Sequence, residues 1–311
     1  MIEDGWFRLI RLPPLRVISS IRKFYGQLRL GCETARGPGT RRRAPADTEG
    51  CSRAAESFQT KQPRAIAVVI HLFYREMWPE LREYLANISI PFDLFISLPG
   101  EPAYDATVED IRKLFPDAVV RRIENRGRDV APFLEFLNSR ALSAYPYACK
   151  IHTKKSPHIP NGTLWRRAIL DDLLGSRDRI ETIIGCFDAN PRLGIAGPGS
   201  SYLEVDPHAQ SNSTRIDELC RALEIEFTPT PFFAGSMFWF RPAALQPLAQ
   251  LELTPNSFDP ELGQLDGTLA HAAERLFTLV ARRAGFEICH TGALVQSNAD
   301  PHETPKIRPA Q

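Results

Sequence analysis

The sequence is poor in the signatures that would make its function obvious. No two of its six cysteines, Cys32, Cys51, Cys149, Cys186, Cys220 and Cys289, form a C-x-x-C pair, so neither a zinc ribbon nor a dithiol redox motif is present. Most of them sit in apolar runs and read as buried thiols. No stretch approaches the roughly 18 uninterrupted apolar residues of a spanning helix, and residues 1–30 lack the apolar core of a secretory leader, so a cytoplasmic protein is expected. No G-x-x-x-x-G-K-[ST] loop follows a strand, which argues against a nucleoside triphosphate enzyme, and no G-x-G-x-x-G follows the first strand, which argues against a dinucleotide oxidoreductase. A broad basic face is missing too. Residues 1–62 carry 12 Lys/Arg against 6 Asp/Glu, but residues 63–311 carry 26 against 31, and an acidic body is unsuited to nucleic acid.

What is present is a 311-residue chain with 43% apolar residues, enough for one large α/β domain. Residues 6–30 interleave Arg and Lys with Trp, Phe, Leu and Ile, and this basic amphipathic segment reads either as an anchor on the inner membrane surface or as a loosely ordered leader or a helix packed on the domain. Residues 31–63, rich in Gly, Pro, Ser, Thr and Arg, read as a disordered linker. The body is expected over residues 64–298, followed by a short tail, 299–311. In it, β-type runs at 65–73, 92–98, 119–123 and 147–151 alternate with helical patterns at 77–85, 107–115 and 133–137. Helices at 164–174 and 177–188, a strand at 192–198, a polar loop at 200–213, a helix at 215–223, aromatic strand residues at 232–241 combined with a turn signal at Gly235-Ser236, a helix at 242–251, a long helix at 262–284 and a last strand at 286–290 follow. This alternation predicts an α/β fold with a mostly parallel, doubly wound sheet.

Two polar clusters stand where strands end. The strand at 119–123 breaks into Asn125-Arg126-Gly127-Arg128-Asp129, and the strand at 147–151, which contains Lys150, opens into His152-Thr153-Lys154-Lys155. In open α/β sheets ligands bind outside the carboxyl ends of strands, so two basic clusters after consecutive strands point to one crevice and an anionic ligand. The competing reading of Lys154-Lys155 is a solvated loop pair.

These two clusters, with FFAGSMFWFRP at 232–242 and LDGTLAHAAER at 265–275, resemble the rhamnan synthesis protein F family of bacterial polysaccharide glycosyltransferases over roughly residues 64–298. The resemblance implies transfer of a sugar, typically L-rhamnose and so a donor such as dTDP-L-rhamnose, onto a growing glycan or lipid-linked glycan. The layout is also similar to the GT-A glycosyltransferase fold. On that comparison, residues 125–129 fall where such enzymes bind the base and diphosphate, and residues 150–155 occupy the place of a metal-binding D-x-D. The second strand ends in Pro99-Gly100-Glu101 rather than in the usual acidic nucleotide contact. Residues 150–155 hold no carboxylate, and Lys and His side chains do not make the hard oxygen site that Mg²⁺ requires. The expectation is metal-independent transfer, with Arg126, Arg128, Lys154 and Lys155 neutralising the leaving diphosphate and His152 donating a hydrogen bond.

Inverting transfer needs a carboxylate to take the acceptor proton. The GT-A comparison places Asp266 at the base position, and His271 and Glu274 follow as neighbours on one helical face. Asp266 reads equally well as a helix N-cap, and Glu274-Arg275 as a surface ion pair. Gly235 and Ser236 offer bare backbone to a sugar, and Trp239 has two readings, a sugar platform or buried core. Trp165, Arg166 and His290 are further cleft candidates. A second functional reading is a noncatalytic nucleotide-sugar or glycan-binding module, which would need no ionised carboxylate facing the sugar.

Overall fold

The computed structural model describes residues 65–155, 161–204 and 209–294. The leader, linker and tail lie outside the described residues. In chain order the elements are β1 (Ile66–His71), α1 (Trp78–Leu85), β2 (Phe92–Pro99), α2 (Asp105–Leu114), β3 (Val119–Ile123), α3 (Val130–Asn138), β4 (Tyr147–His152), α4 (Gly162–Leu174), α5 (Arg177–Ala189), β5 (Leu193–Gly197), β6 (Tyr202–Leu203), α6 (Ala209–Ala222), β7 (Phe232–Phe233), β8 (Phe238–Phe240), α7 (Pro242–Leu245), α8 (Leu269–Arg283) and β9 (Glu287–His290).

Seven strands form one sheet in the order β3-β2-β1-β4-β8-β5-β9. All neighbours run parallel except β8, which is antiparallel to β4 and β5. The sheet is therefore mostly parallel, as the alternating pattern predicts. Alternation along β1 sends Ile66, Val68 and Ile70 to one core and Ala67 and Val69 to the other. The first core is closed by α1, α2, α4 and α5, the second by α3, α6, α7 and α8. A central strand buried on both faces needs this continuous apolar run, because helices cover both sides of the sheet.

Two expectations change. The long helix predicted from residue 262 begins only at Leu269, where Thr268 forms a capping box with His271. The preceding loop contains Gly263 and Gly267 at φ +78° and +80°, backbone that a helix cannot contain. The turn signal at Gly235-Ser236 falls where the chain turns: the two residues stand at φ +92° and +56° between the short strands β7 and β8. The polar loop at 200–213 contains β6, paired with β7, and the first turns of α6.

Candidate functional site

The chain builds β1, β2 and β3 outward in one direction, then returns to lay β4 on the other side of β1. The carboxyl ends of β1 and β4 therefore flank the switch point of the sheet, where helices on opposite faces diverge and leave a crevice. His71 and His152, paired in register, end these two strands. A cavity of about 450 Å³ opens above them, within the range of small-molecule sites. It is lined by residues from the β3–α3 turn, the β4 loop, the β7–β8 turn, the 261–266 loop and α8.

The floor is a buried polar network. Lys150, 2% exposed, donates to Asp129 Oδ2 at 2.6 Å, to the Ser236 carbonyl at 2.5 Å and to Ser236 Oγ at 2.9 Å. Its ammonium also stands 5.4–5.8 Å from the ring centres of Phe133, Phe277 and Phe238. Burial opposes ionisation of Asp129, but His152 and Lys150 hold its carboxyl well below the usual range. His152 donates from Nε2 to the Gly235 carbonyl at 2.7 Å, and burial brings its pKa down to about 4, so the ring is neutral at pH 7. This corrects two expectations. Lys150 has its three protons engaged below the cavity, and the His152 donor is spent on the protein.

Above the floor, Lys154 and Glu274 meet at Gly235. The Lys154 ammonium lies 4.8 Å over the Trp165 ring and forms no hydrogen bond or ion pair with a described residue. Its backbone carbonyl is held by the buried Arg166 at 3.1 Å, and Arg166 in turn binds Glu80. Burial pushes the Lys154 pKa down, while Glu274 and Asp129 work against that shift. A Cβ on Gly235 would stand 3.7 Å from the Lys154 amine, an ordinary contact, so it is the backbone at φ +92° that favours glycine here. Glu274 accepts the Gly235 N–H at Oε1, 2.7 Å, and its second oxygen makes no bond to a described residue. Burial raises its pKa despite Arg275 and Lys154 nearby.

Arg128, at φ +55°, lines the same cavity with its guanidinium donating to the Gln264 carbonyl and 3.6 Å from Glu261. Asp266 lines it too, so Arg128, Lys154 and Asp266 share one hollow. The oxygens of Asp266 are occupied by Ser211 at 2.6 Å and Asn212 at 3.0 Å, with Arg275 at 3.7 Å. Burial alone would raise its pKa, but Arg275, Ser211 and Asn212 bring it below the ordinary value. Asp266 is not the helix N-cap; Thr268 is. His271 is bonded to Thr268 Oγ1 at 2.8 Å, and burial lowers its pKa to about 3. Asn125 reaches the cavity rim, and the exposed Lys155 lies 4.5 Å over Tyr74 and pairs with Glu76.

Several sequence candidates stand elsewhere. Arg126 turns away to Asn256, at 3.2 Å, and is not in the cavity wall. Gly127 serves packing, since a Cβ there would stand 2.5 Å from Ala131 and 2.6 Å from Phe258. Trp239 is fully buried and donates to the Leu173 carbonyl at 3.0 Å, which places its ring in the core closed by α4 and α5 and not in the cavity wall. Ser236, 2% exposed, belongs to the floor. His290 ends the far edge strand and packs on Tyr202. Sequence reading missed His71, bonded through Nδ1 to Ser97 Oγ at 3.1 Å, with burial lowering its pKa to about 3. Applying the strand-end rule to β1 as well as β4 finds it. Tyr74, Glu261 and Arg275 were also missed, and the last two depend on chain return that no local pattern signals.

Residues 51–286 match the family model of rhamnan synthesis protein F, and the chain belongs to that family. Two curated relatives, each called uncharacterized protein WxcX, from Xanthomonas campestris pv. campestris strains B100 and ATCC 33913, are 33% identical over 244 residues. Those residues are 78% of this chain and 34% of each relative, so the chain spans about a third of the length of the relatives it matches. Among solved structures, S. aureus TarS 1–349 is similar at 14% identity and TM-score 0.36, over 70% of this chain and 54% of that one. The same TarS fragment in complex with UDP gives 15% identity and TM-score 0.38, over 70% and 55%. No helix among the described residues is long and apolar enough to cross a membrane.

Proposed function

We propose that this chain transfers a sugar, L-rhamnose from dTDP-L-rhamnose being the expected donor pair, to a glycan or lipid-linked glycan with inversion and without a divalent cation. The observation that carries this reading is that the Lys154 ammonium, with no hydrogen bond or ion pair among the described residues, and the Glu274 carboxylate, with one oxygen unbonded among them, face one cavity beside Gly235. Lys154 and Arg128 take the diphosphate. Their fixed charges stabilise the negative charge that grows on it, where other enzymes use a metal ion. The acceptor hydroxyl loses its proton to Glu274 as its oxygen bonds the anomeric carbon, and the carbon–oxygen bond to the diphosphate breaks with its electron pair on the leaving group. Glu274 is the better base. Its pKa is raised by burial and one oxygen has no partner among the described residues, whereas Asp266 is held ionised by Ser211, Asn212 and the nearby charge of Arg275 and is correspondingly less basic.

The test is turnover of a panel of nucleotide sugars by wild type, Glu274→Gln and Asp266→Asn, with and without chelator. Loss of a proton acceptor costs about 10²–10⁴-fold, expected for Glu274→Gln with nucleotide binding retained. Wild-type turnover by Glu274→Gln removes it as the base. Nucleotide-sugar binding with no turnover of any donor favours the binding module. Activity lost to chelator and restored by Mn²⁺ overturns the metal-independent mechanism.

A further inference from the structure

Lys150 is the least expected charge in the molecule. Burying an ammonium costs several kcal/mol unless the geometry of its partners repays it, and an apolar side chain of similar volume is often no worse for stability. Here Asp129 supplies the countercharge, but the other two contacts go to one residue, Ser236, through both its carbonyl and its hydroxyl. Ser236 is a non-glycine residue at φ +56°, next to Gly235 at φ +92°, so the turn occupies backbone conformations that few residues hold unaided. The same turn is gripped at the Gly235 carbonyl by His152 and at the Gly235 N–H by Glu274.

We infer that Lys150 is a positioning residue: by clamping Ser236 it fixes the Gly235–Ser236 turn, whose Gly235 N–H orients the Glu274 carboxylate in the cavity. The inference rests on the reading of Glu274 as the base. The pair Lys150–Asp129 is neutral as a unit, and only its Asp129 reaches the cavity wall, so its contribution to an anionic ligand is small, while the contribution of Lys150 to the turn is direct. Because the Gly235 N–H favours the ionised form of Glu274, loosening the turn raises the Glu274 pKa further.

The experiment compares wild type, Lys150→Met and Ser236→Ala. The second variant keeps the ion pair and loses one clamp contact, so it serves if the first does not fold. Carbon-13 NMR of labelled glutamate, assigned with Glu274→Gln, reads the Glu274 titration without any activity. An upward shift in both variants, or in Ser236→Ala alone if Lys150→Met is unfolded, supports the inference; an unchanged titration in a folded variant overturns it. In turnover, misplacing the base by about 1 Å costs about a hundredfold in kcat, and the acidic limb moves to higher pH while the donor KM stays within about twofold. A fall in kcat with KM rising in parallel and the limb unmoved marks Lys150 as a structural brace only. If no nucleotide sugar turns over, the reading of Glu274 as the base fails, and the NMR titration still decides whether Lys150 sets its environment.

Discussion

Lys154 and Lys150 are four residues apart and carry the same charge, yet they do opposite work. Along β4 the side chains alternate, so Lys150 falls with Ala148 over the core of Phe133, Phe238 and Phe277, whereas Lys154 lies past the strand end, where the chain is free to turn its amine into the cavity. The strand-end argument made Lys154 and Arg128 legible from sequence, whereas Glu274 entered only as a helical neighbour of Asp266. That argument did not separate the two from Lys150, because composition says nothing about which charges find partners. The ammonium of Lys154, with no partner among the described residues, is expected to bind a nucleoside diphosphate directly. Charge-assisted hydrogen bonds contribute about 1.5–3 kcal/mol, so Lys154→Met should weaken UDP or dTDP binding by about tenfold or more in titration calorimetry. An unchanged Kd would show that the diphosphate sits elsewhere.

Among the elements, α8 was read with the right face and the wrong start. Leu262, Leu265 and Leu269 continue a helical apolar spacing toward the loop, and periodicity alone extends the helix through them. In the folded chain Leu262 is 81% exposed and Leu265 46%, and the glycines at positive φ break the helix before Thr268 caps it. The turn chemistry overruled the period, and by doing so it placed Asp266, Gln264 and Glu261 around the cavity mouth. Thr268→Ala removes the cap that satisfies helix-terminal N–H groups and should cost about 1 kcal/mol, measured as a lower urea midpoint at unchanged slope. A variant as stable as wild type would mean that tertiary packing alone holds the helix start.

At the scale of the whole molecule, three histidines packed around the cavity make stability depend on pH. Burial lowers the folded-state pKa of His71 and His271 to about 3 and of His152 to about 4, against about 6.5 when unfolded. The unfolded chain therefore binds more protons below pH 6.5, and stability, fully present above that pH, is lost as pH falls toward the folded values. Each histidine contributes a slope of about 1.4 kcal/mol per pH unit in that window, so the melting temperature should be level from pH 7 to 8 and fall steadily from pH 6.5 to 4.5. His71→Gln should flatten the fall; a level profile down to pH 4.5 in wild type would show that these rings are protonated in the fold.

Alternating apolar runs and helical periods, read in the sequence, determined the layered α/β plan, because burial on two faces leaves a strand little choice of composition. The same pattern located the carboxyl ends of β3 and β4 as the source of the cavity's basic groups. Which charges meet the cavity was decided only by the tertiary structure. That outcome depends on strand order, on chain returning from residues 235, 266 and 274, and on which side chains neutralise one another first. Those are distances between segments remote in sequence, and no local pattern encodes them.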